Sequence, residues 1–527
     1  MTTQTQAASL TPAPAVNWTK LMLGFGAMVV GQFMAILDIQ IVASSLPQIQ
    51  AGISASADEV SWIQTAYLVA EVVMIPLTAY LTRLWGTQKV YMASCFGFVV
   101  MSVLTGLSSN IETMIVTRAL QGFIGGAMIP TVFAVAFTAF PPERRMTASI
   151  VMGLIVTLAP TVGPSLGGHL TDLLSWRWLF FINVIPGLVV LFLVGRYGDF
   201  DKGDPKLYKG FDWFGLAVMA IFLMSLQYVL EEGTRNSWFQ DGLILALAVA
   251  ALVAGLLFVW RSLTYSQPIV ELRAFSNTNF LIGVCMTFVS GASLFGGTYL
   301  LPLFLGRVRG FSSAEVGTTM VVTGLAMFLT GPLVGRFVRL VDPRVPIVFG
   351  FFAAGYGFWL GHAVTPQWGF WELASLQAFR GVGVMVAMIA TQNVTMSTLD
   401  PNMVKTASSI VNLARNVGGA MGMAVLSSTL VVATRVHINE ISSRMSVASV
   451  QAQDMIAGMA ERMTQMGLAD PASASRKVLK MAITRDASTL AYGDAFTVLA
   501  VVCFLAAFAA VFIKPAPSMF AVPVESH

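Results

Sequence analysis

Apolar residues fill this chain in runs of about twenty, broken by short segments that hold most of its Lys and Arg. A run of that length crosses the roughly 30 Å hydrocarbon core of a bilayer as an α-helix. The pattern predicts fourteen spans: 20–45, 61–82, 90–109, 112–138, 147–171, 178–197, 211–230, 241–260, 278–305, 313–339, 345–364, 370–397, 406–433 and 493–513. The expected fold class is an all-α, multi-pass membrane protein. The first span is too long for a signal-peptide core and is expected to be retained.

The order of features along the chain points to a repeat. The fourth span carries Arg118-Ala-Leu-Gln121-Gly122 and the twelfth carries Arg380-Gly381-Val-Gly383. The fifth span has a Gly-Pro run, and the thirteenth has Asn416-Val-Gly418-Gly419-Ala-Met-Gly422. Gly335 to Arg344, after the tenth span, echoes Ala79 to Lys89, after the second. The simplest parsing is six spans, two additional spans and six related spans. It gives a tail over 1–19, a six-helix bundle over 20–197, two helices with linkers over 198–277, and a second bundle over 278–513. That bundle contains a long loop at 434–492, and a tail follows over 514–527. Repeated halves around a midplane site are a mark of transporters.

Lys and Arg set the expected orientation. Sixteen of them, from Lys20, Arg83 and Lys89 through Arg344, Lys405 and Lys514, fall on the side of the termini, against Arg177, Arg235, Arg307 and Arg309 in the short loops opposite. Both termini are therefore expected in the cytoplasm, and the 434–492 loop outside. Composition fits this picture. Only 11% of residues are charged, against about 25% in soluble chains. The net charge of +4 follows from basic membrane loops and gives no reason to expect nucleic acid. Cys95, Cys285 and Cys503 lie in apolar runs without disulfide or metal spacing. His169, His362, His437 and His527 form no cluster for a membrane-embedded enzyme, and no P-loop is present to use ATP. No cofactor or metal is expected.

Five charged residues fall inside spans: Asp38, Glu71, Arg118, Arg380 and Arg415. Each costs roughly 3 kcal/mol at the bilayer centre on insertion scales, so the default reading is a substrate or proton pathway. Burial disfavours a charged carboxylate, so Asp38 and Glu71 are candidates to take a proton and release it when solvated on the other side. The alternatives are a capping or packing role for Asp38 and a hydrogen-bonded structural acid at Glu71. Arg118 either tunes a neighbouring carboxylate or forms a fixed ion pair. Arg380 and Arg415 either bind an anionic group or satisfy backbone carbonyls. Gln64, Arg380, Arg415 and Asn416 are assigned to the substrate cavity. Two acids in the first half and two arginines in the second favour neutral or weakly acidic amphiphiles as substrates. Asp38→Asn is expected to abolish coupled export without loss of expression.

Leu158 to Gly168 reads L-A-P-T-V-G-P-S-L-G-G, with three glycines and two prolines in eleven residues. Pro160 and Pro164 should bend the fifth helix, and Gly163, Gly167 and Gly168 should let it pack closely. Together with Leu37-Asp38-Ile-Gln-Ile41-Val42 before Leu46-Pro47, Arg118-x-x-Gln121-Gly122, and Trp176-Arg-Trp178-Leu-Phe-Phe-Ile-Asn183-Val-Ile-Pro186-Gly187, the run resembles the major facilitator superfamily. The match is to its fourteen-helix drug:proton antiporters of the EmrB/QacA type. The resemblance implies the major facilitator fold, with fourteen helices arranged 6+2+6, and multidrug export from a bacterial inner membrane. Asp38, Glu71 and Arg118 are assigned to proton coupling, and among these motifs the Gly-Pro run reads as a seam between the two bundles. The cargo is then small amphiphiles and the drive a proton gradient. A dedicated exporter of one metabolite, such as a siderophore or fatty acid, is the alternative.

One departure stands out. The loop after helix two usually carries an Asp in a Gly-x-Leu-x-Asp pattern, but here it reads Ala79-Tyr-Leu81-Thr-Arg83-Leu-Trp-Gly86. The gating ion pair that uses that Asp is therefore not expected. In the outer loop, Met455, Ile456, Met459, Met463 and Met466 fall on one helical face. That face could dock a periplasmic adaptor leading to an outer-membrane channel, fold back on the protein, or lie on the membrane.

Overall fold

The computed structural model describes residues 17–56, 59–397, 399, 403–444, 457, 458, 461, 465 and 470–513. Its helices are α1 (Trp18–Ser44), α2 (Leu46–Ile53), α3 (Trp62–Trp85), α4 (Thr87–Gly106), α5 (Ile111–Gly125), α6 (Met128–Thr138), α7 (Pro142–Leu173), α8 (Trp178–Phe181) and α9 (Val184–Tyr197). They continue with α10 (Trp213–Glu232), α11 (Gly242–Thr264), α12 (Thr278–Phe304), α13 (Ser313–Leu340), α14 (Arg344–Leu360), α15 (Phe370–Ser397), α16 (Val404–Arg444) and α17 (Pro471–Ala510). Among the described residues fourteen stretches are long and apolar enough to cross a membrane, each overlapping one of the spans expected from the sequence. Polar side chains mark where several begin. Asn110, Asp212, Asp241 and Asn277 accept backbone N–H groups of the first turns of α5, α10, α11 and α12. Ser312 and Glu315 form a reciprocal capping box on α13.

Helices pair in the same order in the two halves. In α1–α9, α1 packs on α7, α3 on α5, and α4 on α9. In α12–α17, α12 packs on α16, α13 on α15, and α14 on α17. Between them, α11 presents Leu245, Val249, Leu252, Val253 and Leu256 outward, an apolar face suited to lipid.

The fifth span is one helix: α7 runs through Pro160 and Pro164. Val156 and Pro164 face a cavity, where freed backbone groups need not meet hydrocarbon. Two sequence expectations change. The fourth span is divided between α5 and α6 at Gly126-Ala127. The 434–492 stretch is not all loop, because α16 runs to Arg444 and α17 starts at Pro471. Met455, Ile456, Met459, Met463 and Met466 lie outside the described residues.

Candidate functional site

Asp38 lies near the end of α1 and is completely shielded from solvent. Arg118, on α5, donates from Nη1 to Asp38 Oδ2 at 2.6 Å. Asn183, in the bend between α8 and α9, donates to Oδ1 at 2.8 Å, and Gln121 reaches the same oxygen at 3.4 Å. The guanidinium sits 4.3 Å from the ring centroid of Tyr67 on α3 and donates from Nε to the Ile63 carbonyl at 3.3 Å. Gly122 permits this approach of α5 to α3, since a Cβ there would stand 2.3 Å from the Tyr67 carbonyl oxygen. The network ties four segments of the first half around one ion pair. In this conformation Asp38 does not reach the cavity wall. Its geometry is that of the fixed-pair reading, and not of an acid exchanging protons with the cavity.

That cavity, of about 480 Å³, is lined by both halves. It lies within the size range of small-molecule sites. Gln64 and Glu71 of α3 line it, as do Arg415 and Asn416 of α16. Glu71 is 3% exposed, and among the described residues its carboxylate accepts no hydrogen bond. Arg415 donates to Asn412 Oδ1 at 3.1 Å and lies 4.9 Å from the Phe133 ring centroid, with no carboxylate partner among the described residues. Arg380 corrects its sequence assignment. It sits behind the wall, donating to Thr323 Oγ1 at 2.9 Å, in space left by Gly297 and Gly357.

Two wall residues escaped sequence reading. Gln227 and Glu231, on α10, line the same cavity, and Gln227 donates to Glu231 Oε1 at 2.9 Å. Their four-residue spacing was the available signal, but a span boundary at 230 left Glu231 outside. The wall therefore carries two carboxylates and one guanidinium, which removes the charge argument for neutral or acidic substrates.

The Gly-Pro run also takes a different place. Cβ atoms at Gly163 and Gly167 would stand 2.5 Å from Gln40 Cβ and 2.9 Å from the Ile41 carbonyl oxygen, both on α1. The run thus seats α7 on α1 inside the first half. The contact between halves is made on the other side of α7 by α13. Gly317, Gly324, Gly331 and Gly335 there face Ser165, Thr161, Ile150 with Leu154, and Ile150 with Met146. Gly163→Ala is expected to cost about 1–3 kcal/mol through overpacking. Gly331→Ala should be nearly neutral, because its Cβ would meet only side-chain ends at 3.3 Å or more. Thermal unfolding of the two purified variants checks this.

A model of the Major Facilitator Superfamily matches residues 28–423. The chain belongs to that family. It is 37% identical to the "Colistin resistance protein EmrB" of Acinetobacter baumannii, over 93% of this chain and 95% of the relative. It is 30% identical to the "Multidrug export protein EmrB" of Escherichia coli, over 81% and 84% of the two chains. It is also 30% identical to the "Fatty acid resistance protein FarB" of Neisseria gonorrhoeae, over 79% and 80%. These relatives place the chain in the EmrB-like branch of the Major Facilitator Superfamily.

For a member of that superfamily, the loop after α3 lacks its usual acid, yet the structure holds one in its neighbourhood. Asp201, from the segment after α9, accepts the Thr87 backbone N–H at 2.6 Å and the Thr87 hydroxyl at 2.7 Å. The oxygen that takes the hydroxyl, Oδ2, also pairs with Lys405 at the start of α16, in the second half. Gly86, at φ +88°, makes the turn on which this segment rests. Nearby, Ser408 of α16 donates to the Pro130 carbonyl at 3.1 Å. The two halves are thus latched together at the face where α1 begins and α17 ends. Partial burial of Asp201 opposes ionisation, but the bonds from Lys405 and Thr87 outweigh it and hold the carboxyl below its ordinary value. The latch is therefore complete at neutral pH and fails only as pH falls below the ordinary carboxylate range. Asp201→Asn is expected to weaken closure by about 1 kcal/mol, a roughly five-fold population change. The labelling rate of an S408C variant by a maleimide reads it directly.

Proposed function

We propose that this protein exports amphipathic or lipophilic molecules from a bacterial cytoplasm, across the inner membrane, in exchange for protons. The observation that carries this reading is a largely apolar cavity, shared by both halves, whose wall holds Glu71 with no protein hydrogen bond among the described residues. Such an acid is free to exchange a proton when the cavity opens to water. The names of two relatives, a multidrug export protein and a colistin resistance protein, support drug export as the task. The asymmetry of Lys and Arg supports cytoplasmic termini, so the latched face is cytoplasmic and the cavity belongs to the outward half of the cycle.

In the proposed cycle, an outside proton reaches Glu71 and displaces a bound amphiphile. The Asp201–Lys405 latch opens, the α7–α13 seam rocks, and Glu71 releases its proton inward as the next molecule binds. One proton crossing 100 mV supplies about 2.3 kcal/mol, a roughly fifty-fold concentration ratio. A periplasmic adaptor and outer-membrane channel are part of the proposal. At 41 and 40 residues, α16 and α17 are each about 60 Å long, twice the bilayer core, so their ends stand clear of it.

The test is uptake by inside-out vesicles against a panel of amphiphiles. An acid interior should drive accumulation, and a proton ionophore should abolish it. Accumulation that persists without a proton gradient would overturn the proposal. The name of the fatty acid resistance relative favours a single-metabolite exporter as the second reading; uptake restricted to one compound in the panel would select it.

A further inference from the structure

The two added helices are unequal partners. While α11 faces outward, α10 is wedged between the halves near the face opposite the latch. On the α3 side, Thr65 donates to Glu232 Oε1 at 2.8 Å, Arg235 meets the Ser61 hydroxyl at 2.5 Å, and the rings of Trp62 and Tyr228 lie 5.2 Å apart. On the α16 side, Thr234 bonds to Ser427 and Ser428 at 2.9 and 3.0 Å, Trp238 Nε1 donates to Ser428 at 3.0 Å, and Leu230 packs with Ala420 and Ala424. Clamped on both sides, α10 closes the gap between α3 and α16 and turns Gln227 and Glu231 into the cavity.

The charged wall groups are graded in depth. Glu231 lies beside Glu232 and so near the level of Thr65, whereas Glu71 is six residues further along α3, roughly 9 Å deeper. Arg415 precedes Ala420 and Ala424 on α16 and so lies roughly 8–13 Å below the level of Leu230. The cavity is thus anionic towards the face away from the latch and cationic at its floor. Near this anionic end, Gln64 Oε1 is buried without a hydrogen-bond partner among the described residues. Among the described residues only Gln227 donates to the Glu231 carboxylate, which leaves acceptor capacity facing the cavity.

We infer that Glu231 is a specificity-determining carboxylate that binds the positive charge of cationic amphiphiles, and that the added helix α10 exists in part to place it there. This rests on the export reading above. Glu71 is left to the proton, and a cationic head group held at Glu231 lies away from the Arg415 guanidinium. Neutral lipophiles use the apolar wall and are indifferent to Glu231.

The test is equilibrium binding to the purified full-length protein in lipid nanodiscs, with tetraphenylphosphonium as the cationic probe and N-phenyl-1-naphthylamine as the neutral one. Glu231→Gln should weaken tetraphenylphosphonium binding at least ten-fold, the loss expected when the opposite charge is removed from beside a cation in a largely apolar cavity. It should leave the neutral probe within two-fold, which also reports that the variant is folded. Glu231→Asp should recover part of the cation affinity. Unchanged cation binding overturns the inference. So does an equal loss of both probes, which would make Glu231 a packing residue. If the unsubstituted protein binds neither probe, the export reading itself fails and this inference falls with it.

Discussion

Arg118→Ala and Asp38→Ala are each expected to remove about 3–5 kcal/mol of stability, because either leaves a buried charge without its partner. Both side chains have no solvent exposure, so water cannot take over the lost interaction. Among the described residues, Asp38 would keep hydrogen bonds from Asn183 and Gln121 alone, and Arg118 would keep neutral acceptors, the Tyr67 and Phe180 rings and the more distant charge of Glu71. Replacing both by apolar residues of similar size, as in D38L/R118M, should recover most of the stability, since no charge is then stranded. Thermal unfolding of the two single variants and the double variant in detergent forms the double-mutant cycle that reads this. The same geometry revises what Asp38→Asn means. Lost export in that variant would reflect a loosened first half as much as a lost proton site, so protein yield must be measured beside transport.

The second large effect belongs to Glu71. Glu71→Gln keeps the size and polarity of the side chain but cannot carry a proton. Gradient-driven accumulation in vesicles should fall from up to roughly fifty-fold at 100 mV to none. Exchange of labelled for unlabelled substrate without a gradient should survive, because neither the latch nor the α7–α13 seam uses Glu71. The Asp38–Arg118 pair stays intact in this variant, so its stability should remain close to that of the unsubstituted protein.

How far each feature was legible follows from the range over which it is encoded. The fourteen spans are written in local hydrophobicity, and the membrane makes that signal strong. Charged residues inside spans were visible because they are expensive there. Their pairing was not: Arg118 and Asp38 are 80 positions apart, and Asn183 is 145 from Asp38. Sequence spacing does not say which carboxylate faces an arginine and which faces a cavity. Asn183 stood in a recognised motif, but its role as a donor to Asp38 needs the bend between α8 and α9. The glycines of α7 announced close packing without saying onto what. A helix with neighbours on two sides can turn its glycines to either, and these turn to α1. Glu231 was missed through an error of one residue at a span boundary. Asp201 was missed because its partners Thr87 and Lys405 lie 114 and 204 positions away.

The central claim is that a proton and an amphiphile compete within the cavity through Glu71, while Asp38 holds the first half together. The most direct measurement is proton release on addition of N-phenyl-1-naphthylamine to the purified protein in weakly buffered detergent solution, followed with a pH-sensitive dye. The unsubstituted protein should release protons as the compound binds, and Glu71→Gln should bind it without release. Undiminished release from the Glu71→Gln variant would contradict the account.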